Sequence, residues 1–121
     1  MATAAEASLT DVERRVLGRF VRRLEREYGD KPRAVWLYGS RARGEEPTPY
    51  SDVNLLVVTE GGEDWLRVGA LVDEAAEAEG ANPVLFSAHV YSPERLAQRR
   101  GIRSFFIGEV DRDKIVLSGE P

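Results

Sequence analysis

The chain has no cysteine and a single histidine in 121 residues. Without cysteine there are no disulfides and no thiolate zinc sites, which fits a cytoplasmic protein. His89 alone cannot build a metal site and reads as a core or edge residue rather than a catalytic one. No apolar run is long enough to span a bilayer. The start, MATAAEASLT, has neither the basic flank nor the long apolar stretch of a secretory leader. An excess of positive charge is also missing. Seventeen Lys and Arg stand against 21 Asp and Glu, for a formal net charge of −4. Bulk electrostatics therefore do not point to a nucleic-acid binder. What is present, 42% hydrophobic and 31% charged residues, is the composition of a soluble globular chain, long enough for one modest core.

Residues 1–8 read as a disordered tail, and 9–121 as one domain of alternating helices and strands. Thr10 and Glu13 make a capping box for a first helix. Its buried stripe is Val12, Val16, Leu17, Phe20, Val21 and Leu24. Arg15, Arg19, Arg22, Arg23 and Arg26 form its outer face, expected to be solvated and partly neutralised by Glu25 and Glu27. The rival reading of that face is a docking surface for an acidic partner or an RNA. Gly29-Asp30-Lys31-Pro32 breaks the helix ahead of a first strand. After a second strand, Gly61-Gly62 makes a turn. A second helix runs from Glu63 to about Glu79, with acids at its N-terminus and Gly80 as its cap. A third strand spans roughly 83–91. Ser92 and Pro93 open a short helix, which Arg99-Arg100-Gly101 ends. Ser104 to Val110 forms another helical turn, and Lys114 to Leu117 a last strand.

The chemistry concentrates between the apolar runs Ala34–Tyr38 and Leu55–Val58. The first run ends at Gly39, and glycine tolerates turns and close approaches that other residues do not. Ser40 to Arg43 suits a short helical turn, whose exposed N–H groups favour an anion such as phosphate. Arg41 and Arg43 add charge able to grip phosphate. A polar, proline-stiffened loop, 45–50, leads to a second strand beginning near Ser51. Asp52 and Asn54, two apart on that strand, project from one face toward the turn. Such a placement sets metal ligands beside a triphosphate. The plainer reading of these pieces is a hairpin-like excursion with a decorated loop. Tyr50 is either a base-stacking side chain or an ordinary surface tyrosine, and Trp36 reads as core.

The whole segment, WLYGSRARGEEPTPYSDVNLLVV, resembles the signature of the nucleotidyltransferases of the DNA polymerase β superfamily, most closely the small minimal nucleotidyltransferases. The resemblance implies an α/β (α+β) fold: a small mixed sheet packed with helices. It implies that Gly39 and Ser40 bind nucleotide phosphates, and that Asp52 ligates a divalent metal, Mg²⁺. The second carboxylate of the family falls on Asn54, which keeps the position as catalytic and metal ligand but brings no charge. A third carboxylate is expected on a later strand, yet 83–91 contains no acid.

The implied activity is Mg²⁺-dependent transfer of a nucleoside monophosphate, AMP from ATP, to a hydroxyl acceptor. The altered carboxylates make a weakened enzyme, or a pseudoenzyme acting as a nucleotide-binding, antitoxin-like subunit, the alternative. By the same resemblance the partner is a helical HEPN-domain protein, in toxin–antitoxin pairs where the transferase member silences the toxin. Nucleic acid and membrane are not expected as partners, and oligomerisation is left open. The closing stretch, VYSPERLAQRRGIRSFFIGEVDRDKIVL, resembles one branch of the same family.

Overall fold

The computed structural model describes residues 7–29, 33–48, 51–60 and 64–120. Residues 1–6 of the expected tail, Tyr50, and the Gly61-Gly62 turn with Glu63 lie outside the described residues. Ala7 and Ser8, also assigned to the tail, are held by the fold. Ala7 is buried, and the Ser8 N–H donates to the Arg41 carbonyl at 2.9 Å.

Four strands and four helices follow in the order α1 (Asp11–Tyr28), β1 (Arg33–Tyr38), β2 (Val53–Thr59), α2 (Trp65–Ala78), β3 (Phe86–Tyr91), α3 (Pro93–Gly101), α4 (Phe105–Asp113) and β4 (Ile115–Gly119). The sheet order is β3-β2-β1-β4. β1 runs antiparallel to both β2 and β4, while β2 and β3 are parallel. The sheet is therefore mixed, with helices on both faces, as expected. Alternation of side chains divides the core into two layers. Val35, Leu37, Leu55, Val57 and Val90 pack with the stripe of α1 and with Val68, Leu71, Val72 and Ala75 of α2. Trp36, Leu56, Val58 and Tyr91 pack with Leu96 of α3 and with Ile107 and Val110 of α4.

α1 begins as its sequence dictates. The Thr10 hydroxyl accepts from the Glu13 N–H at 3.1 Å, and the Glu13 carboxylate accepts from the Thr10 N–H at 2.8 Å. Val16, Leu17, Phe20 and Leu24 are buried, each stabilising by about 1.5–3 kcal/mol relative to exposure. The arginine face is also neutralised from α2. Arg15 and Arg19 both reach Glu79 at the far end of α2, and Arg23 lies 3.6 Å from Glu74. Glu27 instead pairs with Arg67 of α2. The charges thus join two helices that already pack together.

Other boundaries shift for local reasons. α2 starts at Trp65, and the Asp64 carboxylate makes no cap bond. It accepts from the Tyr28 hydroxyl at 2.8 Å instead, and burial with this carboxylate pushes the Tyr28 phenol up to about 12. Residues Pro83–Leu85 form a 3-10 turn rather than strand, with the Asn82 side chain accepting from the Val84 N–H. β3 follows as an edge strand. α3 takes in Arg99 and Arg100 and ends at Gly101, and Arg100 pairs with Asp111 of α4 at 2.7 Å. Trp36 is fully buried. Its indole N–H donates to the Glu120 carbonyl at 2.8 Å, and the Lys114 ammonium lies 3.7 Å from the ring centroid. No helix among the described residues is long and apolar enough to cross a membrane.

Candidate functional site

β1 delivers the chain to Gly39 at one end of the sheet, and β2 leaves from the same end. Gly39 has φ of +86°, a backbone conformation that costs a side-chain-bearing residue about 1–2 kcal/mol. The next residues form one helical turn. Arg43 N–H donates to the Gly39 carbonyl at 3.1 Å, and Glu45 N–H to the Ser40 carbonyl at 3.0 Å. The first N–H groups of such a turn, those of Ser40, Arg41 and Ala42, make no backbone–backbone hydrogen bond among the described residues. Gly44, at φ +76°, closes the turn.

Asn54 faces Tyr38 across the antiparallel pair and sits beside Ser87 in the parallel one. Its amide nitrogen lies 2.9 Å from where a Cβ on Gly39 would stand. The glycine is thus required by its φ, while the amide against it is the end of a flexible side chain that can shift aside. β2 begins at Val53 rather than near Ser51, so Asp52 is exposed immediately before the strand. The turn, Asp52 and Asn54 are therefore brought to one end of the sheet. On the face shared with Asn54, β3 presents Ser87, His89 and Tyr91 and no acid. Among the described residues no group of three or more His, Asp or Glu could hold a metal. His89 is exposed on the edge strand, its ring 6.3 Å from Tyr38 and 5.9 Å from Phe106.

The two arginines of the turn differ. Arg41 was expected on phosphate, yet it is only 4% exposed, and its guanidinium is enclosed by protein. It donates to both Glu13 carboxylate oxygens, at 2.6 and 3.2 Å. It also donates to the Ser8 carbonyl at 3.0 Å and the Ser51 carbonyl at 3.2 Å, while its Nε reaches the Ser51 hydroxyl at 3.3 Å. A guanidinium has five N–H donors, and these contacts engage all of them. Burial alone would raise the Glu13 pKa, but the Arg41 hydrogen bonds and charge, with the Thr10 N–H, hold it below the ordinary 4.5. Arg43 is exposed. It pairs with Glu45 at 2.5 Å and lies 3.6 Å from Asp113 of α4.

Residues 17–114 match the nucleotidyltransferase domain family. The chain belongs to that family. Its mixed four-stranded sheet with helices agrees with the nucleotidyltransferase fold, and the family uses nucleoside triphosphates with a divalent metal. A comparison with curated proteins found no match.

The nucleotidyltransferase domain also carries site neighbours that its sequence did not reveal. Glu13 reads as a helix cap, and nothing local says that it also holds the turn through Arg41. From α4, Phe105, Phe106 and Glu109 line a cavity of about 240 Å³ together with Tyr38, Gly39 and Arg43. The only sequence signal for them was an aromatic pair, Phe105-Phe106, at the start of a helix.

Proposed function

We propose that the chain binds a nucleoside triphosphate, ATP by preference, and transfers its nucleoside monophosphate to a hydroxyl acceptor. The observation that carries this reading is the meeting of the Gly39–Ala42 turn, whose first N–H groups make no backbone–backbone bond among the described residues, and Asp52 at one end of the sheet. In this reaction the acceptor oxygen bonds to the α-phosphorus, the bond to the β-phosphate oxygen breaks, and pyrophosphate leaves. The turn N–H groups hold phosphate oxygens, and Arg43 is the exposed guanidinium able to swing onto them. Arg41 acts behind the turn, as its support.

Asp52 is the residue that would hold Mg²⁺, with Asn54 offering an uncharged amide oxygen. One carboxylate plus substrate phosphates fits a single Mg²⁺, whereas the residues do not fit a two-ion clamp. When bound, the ion supplies charge neutralisation at the phosphates. With Asn54 in the second position and no acid on the facing side of β3, transfer is expected to be slow. The same two features favour a second reading. In it the chain is a nucleotide-binding, antitoxin-like subunit that acts by contact with a partner. The family resemblance makes that partner a helical HEPN-type protein, whose hydroxyl would be the acceptor in the first reading.

Calorimetric titration with ATP, with and without Mg²⁺, tests the site. Mg²⁺-dependent binding that disappears in Asp52→Ala is the expected result. No binding at millimolar ATP would end the nucleotide reading and leave partner binding.

A further inference from the structure

The cavity between the turn and α4 has an unusual wall. Phe105 is 83% exposed and Phe106 is 36% exposed, although water disfavours exposed aromatic surface. Phe106 is held edge-on to Tyr38, with centroids 5.4 Å apart and planes at 86°. The His89 ring lies 5.9 Å from Phe106 on the same side. Burial pushes the Tyr38 phenol up to about 12, with Tyr91 adding to the effect, so Tyr38 stays neutral. The cavity volume, about 240 Å³, lies just below the range that encloses drug-sized ligands and suits a single planar group.

Two of the lining residues, Gly39 and Arg43, belong to the turn proposed to hold phosphates. A molecule whose phosphates rest on the turn can therefore reach the aromatic wall with its other end. We propose that this cavity is the base subsite of the nucleotide, with the base stacked on Phe105 and lodged against Phe106 and Tyr38. Glu109, an acceptor-only carboxylate, lines the same cavity and would take a hydrogen bond from an exocyclic amino group. That chemistry selects amino-bearing bases such as adenine over uracil. The subsite rests on the phosphate reading of the turn, but its test separates the two.

The experiment is calorimetry with Mg²⁺-ATP and Mg²⁺-tripolyphosphate on the wild type, Phe105→Ala and Phe105→Trp. Phe105 is exposed, so both variants should fold, and circular dichroism checks it. Base–aromatic stacking contributes roughly a ten-fold gain in affinity or more. The wild type should therefore bind ATP at least about ten-fold more tightly than tripolyphosphate. Phe105→Ala should lose that margin with tripolyphosphate binding unchanged, and Phe105→Trp should keep it. If ATP binds no more tightly than tripolyphosphate, or Phe105→Ala leaves ATP binding intact, the base subsite is wrong and the phosphate turn survives. The second of these outcomes would leave Phe105 as a protein-docking side chain. If neither ligand binds, the phosphate reading falls and the subsite with it.

Discussion

Replacing Arg41 with methionine should unfold this protein far more readily than its position in a surface turn suggests. The substitution keeps a long apolar side chain but removes five donated hydrogen bonds. It leaves the Glu13 carboxylate, on a residue only 7% exposed, without its ion-pair partner. Removing one member of a buried pair costs about 3–5 kcal/mol, against a total stability of roughly 5–15 kcal/mol for a domain. The melting temperature should fall on the order of 10–20 °C. Glu13→Gln, which preserves the capping box, should recover part of this loss when combined with Arg41→Met. The carbonyls of Ser8 and Ser51 stay unpaired in both variants. Urea denaturation of the four proteins measures the coupling. A single variant within about 1 kcal/mol of wild type, or a double variant whose losses simply add, would refute the buried-pair account. The same pair sets an acid limit. The folded-state pKa of Glu13 is depressed below 4.5, so its contribution is present above that value. It disappears as pH falls through the lower folded value. Glu13→Gln should flatten the acid limb of a stability–pH profile, and an unchanged limb would assign acid unfolding to other carboxylates.

Two further substitutions probe the site. Asn54→Asp places a second carboxylate near Asp52. It should lower stability without Mg²⁺ through like-charge repulsion, restore it with Mg²⁺, and raise nucleotidyl transfer. Melting curves with and without the ion, with a radiolabelled transfer assay, read all three, and no Mg²⁺ dependence would show that position 54 is not a metal position. Gly39→Ala should cost about 1–2 kcal/mol from its φ alone, and should weaken nucleotide binding because the turn N–H groups move. Adding Asn54→Ala relieves only the 2.9 Å contact. Full recovery of the urea midpoint in that double variant would contradict the backbone origin.

What was legible in the sequence was what is local. Thr10 and Glu13 announce a helix start because capping joins residues three apart, and the α1 stripe follows from helical spacing. The Gly39–Gly44 turn and the approach of Asn54 were readable because two strands of known direction converge there. Arg41 was misread because its fate depends on Glu13, 28 positions away, and on Ser51, ten positions away. A surface arginine and a buried one look alike in sequence until the partner is placed. Arg100 follows the same pattern. Its pairing with Asp111, eleven positions away on α4, is not written in the residues around it. Asp64 had two uses available, capping α2 or accepting from Tyr28, and only the packing of α1 against α2 decides between them. The α4 wall of the cavity was out of reach for the same reason. Nothing within a few residues of Phe105 refers to Gly39.

These contacts give the site an internal logic. Arg41 belongs to the phosphate turn by sequence, yet it binds the residue immediately before Asp52 and the first turn of α1. One guanidinium thus fixes the turn and the candidate metal ligand relative to each other, without itself touching ligand. Arg43, two residues later, is exposed and pairs with the exposed Glu45 and, at 3.6 Å, with the partly buried Asp113, and pairs of an exposed guanidinium contribute little to stability and yield readily to a better partner. A triphosphate is such a partner. On the proposed reading the GSRARG stretch therefore divides its two positive charges between holding the frame and receiving the ligand. Burial, rather than charge, separates the roles. In the proposed reading this frame, the turn N–H groups and Asp52 are the parts that bind a nucleotide. On the same reading, the amide at Asn54 and a β3 without acids leave the site short of the charge that would hasten transfer.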